Sequence, residues 1–104
     1  MATYKTIPFY PEHSALNRSG RKIATTRTKR YARKGEVFED RGEIYRVTHV
    51  VKLPLGVVAD YFFREEGFDD TEDFVEMWER IYPRKGFDPD QLVWLHLYIR
   101  LLDV

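Results

Sequence analysis

The chain reads as a small α+β domain, a curled sheet with helices packed against it. Three observations predict this. Two segments alternate side chains with the period of a strand, residues 43–51 and the C-terminal Leu92 to Leu102. Between them lie two stretches whose apolar residues recur at helical spacing. The length, 104 residues, is that of one domain spanning 1–104, and seven Phe, seven Tyr and two Trp supply a heavy aromatic core for that size.

The elements follow in order. Residues 4–9, YKTIPF, predict a short strand or arm, and Pro8 places it at an edge. Residues 11–19 suit a short helix with Pro11 near its start and Gly20 as its stop. Residues 21–27, rich in β-branched side chains, read as a strand. A basic loop over 28–35 ends in the turn Lys34-Gly35, and a short strand occupies 36–39. In the strand over 43–51, Tyr45, Val47 and Val51 form the buried face, with His49 among them. The spacing of Leu55, Val58, Tyr61 and Phe62 predicts a helix over 54–66, closed by Gly67. Phe74, Met77, Trp78 and Ile81 predict a second helix, with Asp69 and Asp70 ahead of it and Pro83 as its stop. The last segment carries Val93, Leu95, Leu97, Ile99 and Leu101 on one face. Trp94, His96, Tyr98, Arg100 and Leu102 lie on the other, which suits a central strand.

Charge is segregated along a chain that is formally neutral. Residues 1–35 sum to +8 and residues 36–104 to −8. Arg18, Arg21, Lys22, Arg27, Lys29, Arg30, Arg33 and Lys34 fall in one run without an acid. Such a run presents a cationic region to an anionic partner, of which phosphate is the commonest. Tyr31 lies inside the run and offers a stacking surface, as Trp94 and Tyr98 do where exposed. The plainer alternative is a solvated basic loop. There is no Cys, hence neither a disulfide framework nor a Cys-based zinc site. No apolar stretch reaches the length of a membrane span and no signal peptide is visible, so a cytoplasmic protein is expected.

His13, His49 and His96 have no carboxylate at metal-ligand spacing, and His96 is expected as a hydrogen-bonded wall residue. The acids Glu65, Glu66, Asp69, Asp70, Glu72 and Asp73 lack the spacing of a calcium loop and read as helix caps and dipole partners. There is no phosphate-cradling Gly-rich loop and no G-x-S-x-G elbow. Neither a metal nor a cofactor is called for.

Three pieces of the chain resemble the ASCH domains of the PUA-like superfamily. Gly20 to Arg27, GRKIATTR, is similar to the family's G-x-K-x-x-T-x-R segment. Lys34-Gly35-Glu36-Val37-Phe38, followed by the strand from Ile44 to Val51, resembles its x-G-D turn and strand, with Glu36 where Asp is commoner. Glu65 to Phe74, then Trp78 and the Val93 to Leu97 strand, resembles its E-G-F helix pair and closing strand. The resemblance spans roughly residues 16–102. It implies a small PUA-like β-barrel of about five to six strands with two to three flanking helices. It also implies binding of RNA or a nucleotide in a cleft beside the basic segment. Arg21, Lys22, Arg27 and Lys29 would hold phosphate there, and Thr25, Thr26 and Glu66 would contact base or ribose.

One enzymatic branch of that family removes the acetyl group from the exocyclic amine of N4-acetylcytidine nucleosides with a Lys–Thr–Glu triad. Carried onto this chain, the resemblance makes Thr25 the nucleophile, Lys22 its general base and Glu66 the acid for the leaving amine. Burial and the neighbouring Arg21 and Arg27 would lower the Lys22 pKa toward that role. On a regular strand Thr26, not Thr25, shares the face of Lys22, so a triad through Thr25 requires a bent strand. Glu65 adjoins Glu66, and a shift of one residue would exchange them. A protein-interaction module whose basic face meets an acidic partner is a third reading.

Overall fold

A computed structural model describes residues 4–101. It is an α+β fold of three helices and one four-stranded antiparallel sheet. In chain order these are α1 (Pro11–Ser19), β1 (Ala24–Arg27), β2 (Val37–Asp40), β3 (Glu43–Pro54), α2 (Leu55–Tyr61), α3 (Thr71–Ile81) and β4 (Leu92–Leu101). The sheet order is β1-β4-β3-β2. The last strand is therefore interior, as its two-sided pattern suggested, and β3 and β4 pair along nearly their whole lengths. Leu102, assigned above to one face of that strand, lies outside the described residues.

Four strands form where about five to six were expected. Residues 4–9 are the arm rather than the strand. Lys5 makes one isolated parallel bridge to Phe38, and Pro8 has no N–H to extend a ladder. The arm nevertheless crosses the open side of the curled sheet, from β2 at Lys5 to β1 at Pro8, whose carbonyl accepts from Arg27 Nη2 at 2.7 Å. The β2–β3 hairpin turns on Arg41 and Gly42, both at positive φ, the geometry of a tight two-residue turn that follows the twist of the strands.

Two boundaries and one face differ from expectation. The first strand is shorter, so Arg21 and Lys22 precede it. Helix α2 stops at Tyr61, and residues 62–67 continue as turns. Phe62, Phe63 and Phe68 all pack on the core from this irregular stretch, and Tyr61, assigned to the apolar stripe, is 74% exposed. In β3 a bulge falls between Val47 and His49. It reverses the alternation, so Tyr45 and Val47 are buried while His49 and Val51 point to solvent.

Two apolar clusters result. Ala24, Val93 and Leu95 meet Leu55 and Val58 of α2 and Phe74, Met77 and Trp78 of α3. On the other side, Phe38, Tyr45, Val47 and Tyr98 pack with Ile7 of the arm and Ala32 of the basic loop. Phe38 stacks on Tyr45 at 5.2 Å and meets Tyr98 edge-on at 5.1 Å. The first cluster takes in Ala24 of β1, the edge strand from which the site is built.

Candidate functional site

The chain enters β1 through Lys22, whose backbone N–H bonds Leu16 O of α1. Its neighbour Ile23 donates to Glu65 O at 2.7 Å, which pins the loop after α2 against this entry. Gly67 makes that approach close. It sits at φ +95°, and a Cβ there would lie 3.2 Å from Leu16 Cδ1 and 3.4 Å from Lys22 Cβ. Of the adjacent glutamates, Glu66 is the one turned inward.

The result is a buried ion pair. Lys22 Nζ lies 2.8 Å from Glu66 Oε1 and 3.4 Å from the Glu66 carbonyl, with side chains 3% and 2% exposed. The other carboxylate oxygen, Oε2, accepts from Thr26 Oγ1 at 2.7 Å. Burial pushes the Lys22 pKa below the usual lysine range, against the pull of the Glu66 charge, and the Arg27 charge lowers it further.

Thr25 and Thr26 face opposite sides of β1, as strand geometry requires. Thr26 turns toward Glu66. Thr25 shares the face of its register partner His96 and of Arg27. Both threonines nevertheless line the same cleft, because β1 is an edge strand and the cleft wraps its free side. No hydrogen bond joins Lys22 to Thr25, though both line the cleft.

Arg27 frames the Thr25 side. Its Nε donates to Thr25 Oγ1 at 3.0 Å, and its guanidinium lies over Phe9 at 4.8 Å and Tyr31 at 5.4 Å. Burial lowers its pKa, and among the described residues no carboxylate lies within ion-pairing distance of it. Beneath Thr25, His96 is fully buried. Its Nε2 accepts the Tyr31 N–H at 3.1 Å, so the ring proton sits on Nδ1, 3.3 Å from Thr25 O. Burial lowers the His96 pKa and keeps the ring neutral. His96 is thus the wall residue expected, fixing both β1 and the basic loop.

The cleft holds about 350 Å³, in the range of small-ligand sites. Phe9 of the arm, Tyr10 ahead of α1, Trp78 of α3 and Tyr82 just past it line the cleft, as does His13 of α1. Burial lowers the His13 pKa, with the Lys22 charge adding to it. The arm residues were missed as site residues; the signal was their aromatic density. Among the described residues no cluster of His, Asp or Glu could hold a metal.

The basic run does not form one surface. Lys22 and Arg27 reach the cleft. Arg18 and Arg21 lie at the end of α1, where Arg21 pairs with Asp69 at 2.6 Å. Lys29 lies over Tyr31 at 5.0 Å. Arg30, Arg33 and Lys34 surround a shallow concavity beside Trp94.

No family model and no curated protein matches the chain. Solved structures do. An ASCH domain from Lactobacillus crispatus JV V101 superposes with a TM-score of 0.72 over 95% of this chain and 77% of that one, at 19% identity. The chain has an ASCH-domain fold. A protein from Enterococcus faecalis V583 carrying the family designation DUF984 aligns at TM-score 0.63 and 22% identity, over 85% of this chain and 66% of that one. The cleft of this chain is built around Lys22 and Glu66.

Proposed function

We propose that the cleft binds a nucleoside or nucleotide, and that Lys22, Thr25 and Glu66 make it an amidohydrolase for N4-acetylcytidine-type bases. The observation that carries this reading is the buried Lys22–Glu66 pair in the cleft wall. Desolvating such a pair costs about as much as its attraction returns, and an apolar pair of similar volume would serve the scaffold as well. Its place beside a nucleoside-sized space supports a chemical role. The substrate class comes from the resemblance of Gly20 to Arg27, and of the Glu66 loop, to the deacetylating branch.

The pair supplies an acid and a base together. A proton passing from Lys22 Nζ to Glu66 Oε1 across 2.8 Å leaves a neutral amine and a neutral carboxylic acid. A ligand that expels water from the cleft favours this uncharged form. Lys22 then takes the Thr25 hydroxyl proton as Oγ1 attacks the acetyl carbonyl carbon. Glu66 gives its proton to the exocyclic nitrogen as the C–N bond breaks, releasing cytidine. Water then attacks the acetyl ester of Thr25 as Glu66 takes one of its protons, Lys22 returns its proton to Oγ1, and acetic acid leaves with the uncharged pair restored. Arg27 donates to Thr25 Oγ1, so the hydroxyl hydrogen points away from it, and the guanidinium stabilises negative charge forming on that oxygen.

Nucleotide or RNA binding without turnover is the second reading. Arg27 favours it, since an unpaired guanidinium at a cleft wall suits a phosphate equally well. Incubating the protein with N4-acetylcytidine separates the two. Cytidine and acetate should appear, and Thr25→Ala should lose at least about 10³-fold in rate while keeping its fold. Binding without product, by folded protein, would leave the second reading in place.

A further inference from the structure

Register places Trp94 directly across from Arg27, and Lys52 directly across from Trp94. Cross-strand partners share a sheet face, so the three stand side by side on the face that carries Thr25. The Trp94 ring is half-exposed. The Arg30 guanidinium lies 5.5 Å from its centroid and the Lys52 ammonium 5.4 Å. Arg33, Lys34, His49, Val50 and Val51 complete the lining of the concavity.

Two features set this surface apart from a solvated basic loop. It is lined by no acid, and none of Arg30, Arg33, Lys34 and Lys52 has a carboxylate within 4.0 Å among the described residues. Lys5, Arg21 and Arg100 elsewhere pair with Glu36, Asp69 and Glu43, while Arg46 and Arg84 have no carboxylate within 4.0 Å among the described residues, so it is the gathering of such cations in one acid-free concavity that is particular to this surface. The loop is also not free to move away. Ala32 is buried in the second cluster, the Tyr31 N–H is held by His96, and the Arg33 N–H bonds Glu36 Oε1. Arg30 and Lys52 thus flank one aromatic ring, and Arg33 and Lys34 line the same concavity.

We infer that the Trp94 surface is a second site, for a stretch of single-stranded nucleic acid. Phosphates meet Arg30, Arg33, Lys34 and Lys52, and a base lies on Trp94, displacing one of the cations toward a phosphate. The surface adjoins the cleft at Arg27, so a chain whose modified base enters the cleft runs on over Tyr31 and Lys29 to Trp94. The choice of nucleic acid over another polyanion rests on the cleft reading above. A merely electrostatic patch would not need the ring.

Affinity is read from the anisotropy of an end-labelled oligouridylate, and the Trp94 emission is isolated in a Trp78→Phe variant, because Trp78 lines the cleft. The oligouridylate should quench that emission, and log affinity should fall with log salt by about 0.7 per phosphate met. Arg30→Ala with Lys52→Ala, both at exposed positions, should reduce that slope by about 1.4. Trp94→Ala, checked for an unchanged melting temperature, should weaken binding about tenfold. Polyglutamate of matched charge should bind far more weakly. Absence of quenching, a double variant equal to wild type, or equal affinity for polyglutamate would each overturn the inference. Hydrolysis of free N4-acetylcytidine in the same series judges the cleft reading separately.

Discussion

Lys22 and Glu66 keep each other's charge in a place that water does not reach, and each is costly without the other. Lys22→Ala should destabilise the fold by about 3–5 kcal/mol in urea unfolding, because it strands a buried carboxylate. The double variant Lys22→Met with Glu66→Leu should recover most of that loss and restore no activity. Recovery of activity with stability would make the pair a structural element alone. His96 carries a second test. Its pKa is lowered, so the folded state disfavours the protonated ring, and unfolding takes up a proton below the ordinary value of 6.5. Its contribution is full above pH 6.5 and is lost as pH falls through the lowered folded value; His13 shifts in the same direction. Unfolding free energy should therefore drop between pH 7.5 and pH 5, and His96→Gln should flatten that drop. An equal drop in the variant would place the sensitivity elsewhere.

At the scale of elements, α3 and β4 were plain in the sequence because their signals are strong and local. Phe74, Met77 and Trp78 repeat on one stripe, and Asp70 accepts the Asp73 N–H at 2.8 Å as a helix cap. Asp70→Ala should cost about 1 kcal/mol in thermal or urea unfolding, with no effect on the cleft. The bulge in β3 was not legible. Thr48 suits a regular strand, and the extra residue is set by how the two apolar clusters share one sheet. The early end of α2 was hidden for a similar reason. A helical stripe runs through Phe62, but Phe62, Phe63 and Phe68 all reach the core only if the chain leaves the helix. The same irregular turn aims Glu66 at Lys22.

For the molecule as a whole, the sequence showed a charge imbalance but not its layout. Eight cations in one run look equivalent when written in a line. Folding separates them into a buried ammonium, a stacked guanidinium, a surface ion pair just past α1 and the cations beside Trp94. What distinguishes Lys22 is its burial against Glu66, 44 residues away, a contact that no local pattern announces. The opposite facing of Thr25 and Thr26 was legible. That both reach one cleft was not, because it depends on β1 lying at the edge of the sheet. In this arrangement Thr26 bonds the Glu66 carboxylate and Thr25 receives the Arg27 Nε donor, so the proposed mechanism gives attack to Thr25 alone.

The deciding measurement is kcat/KM for N4-acetylcytidine with wild type, Thr25→Ala and Thr26→Ala, each confirmed folded. Turnover by the wild type is expected, with its near-complete loss in Thr25→Ala and a partial loss in Thr26→Ala. A wild type without turnover, or a Thr25→Ala variant as active as the wild type, would contradict the proposed mechanism.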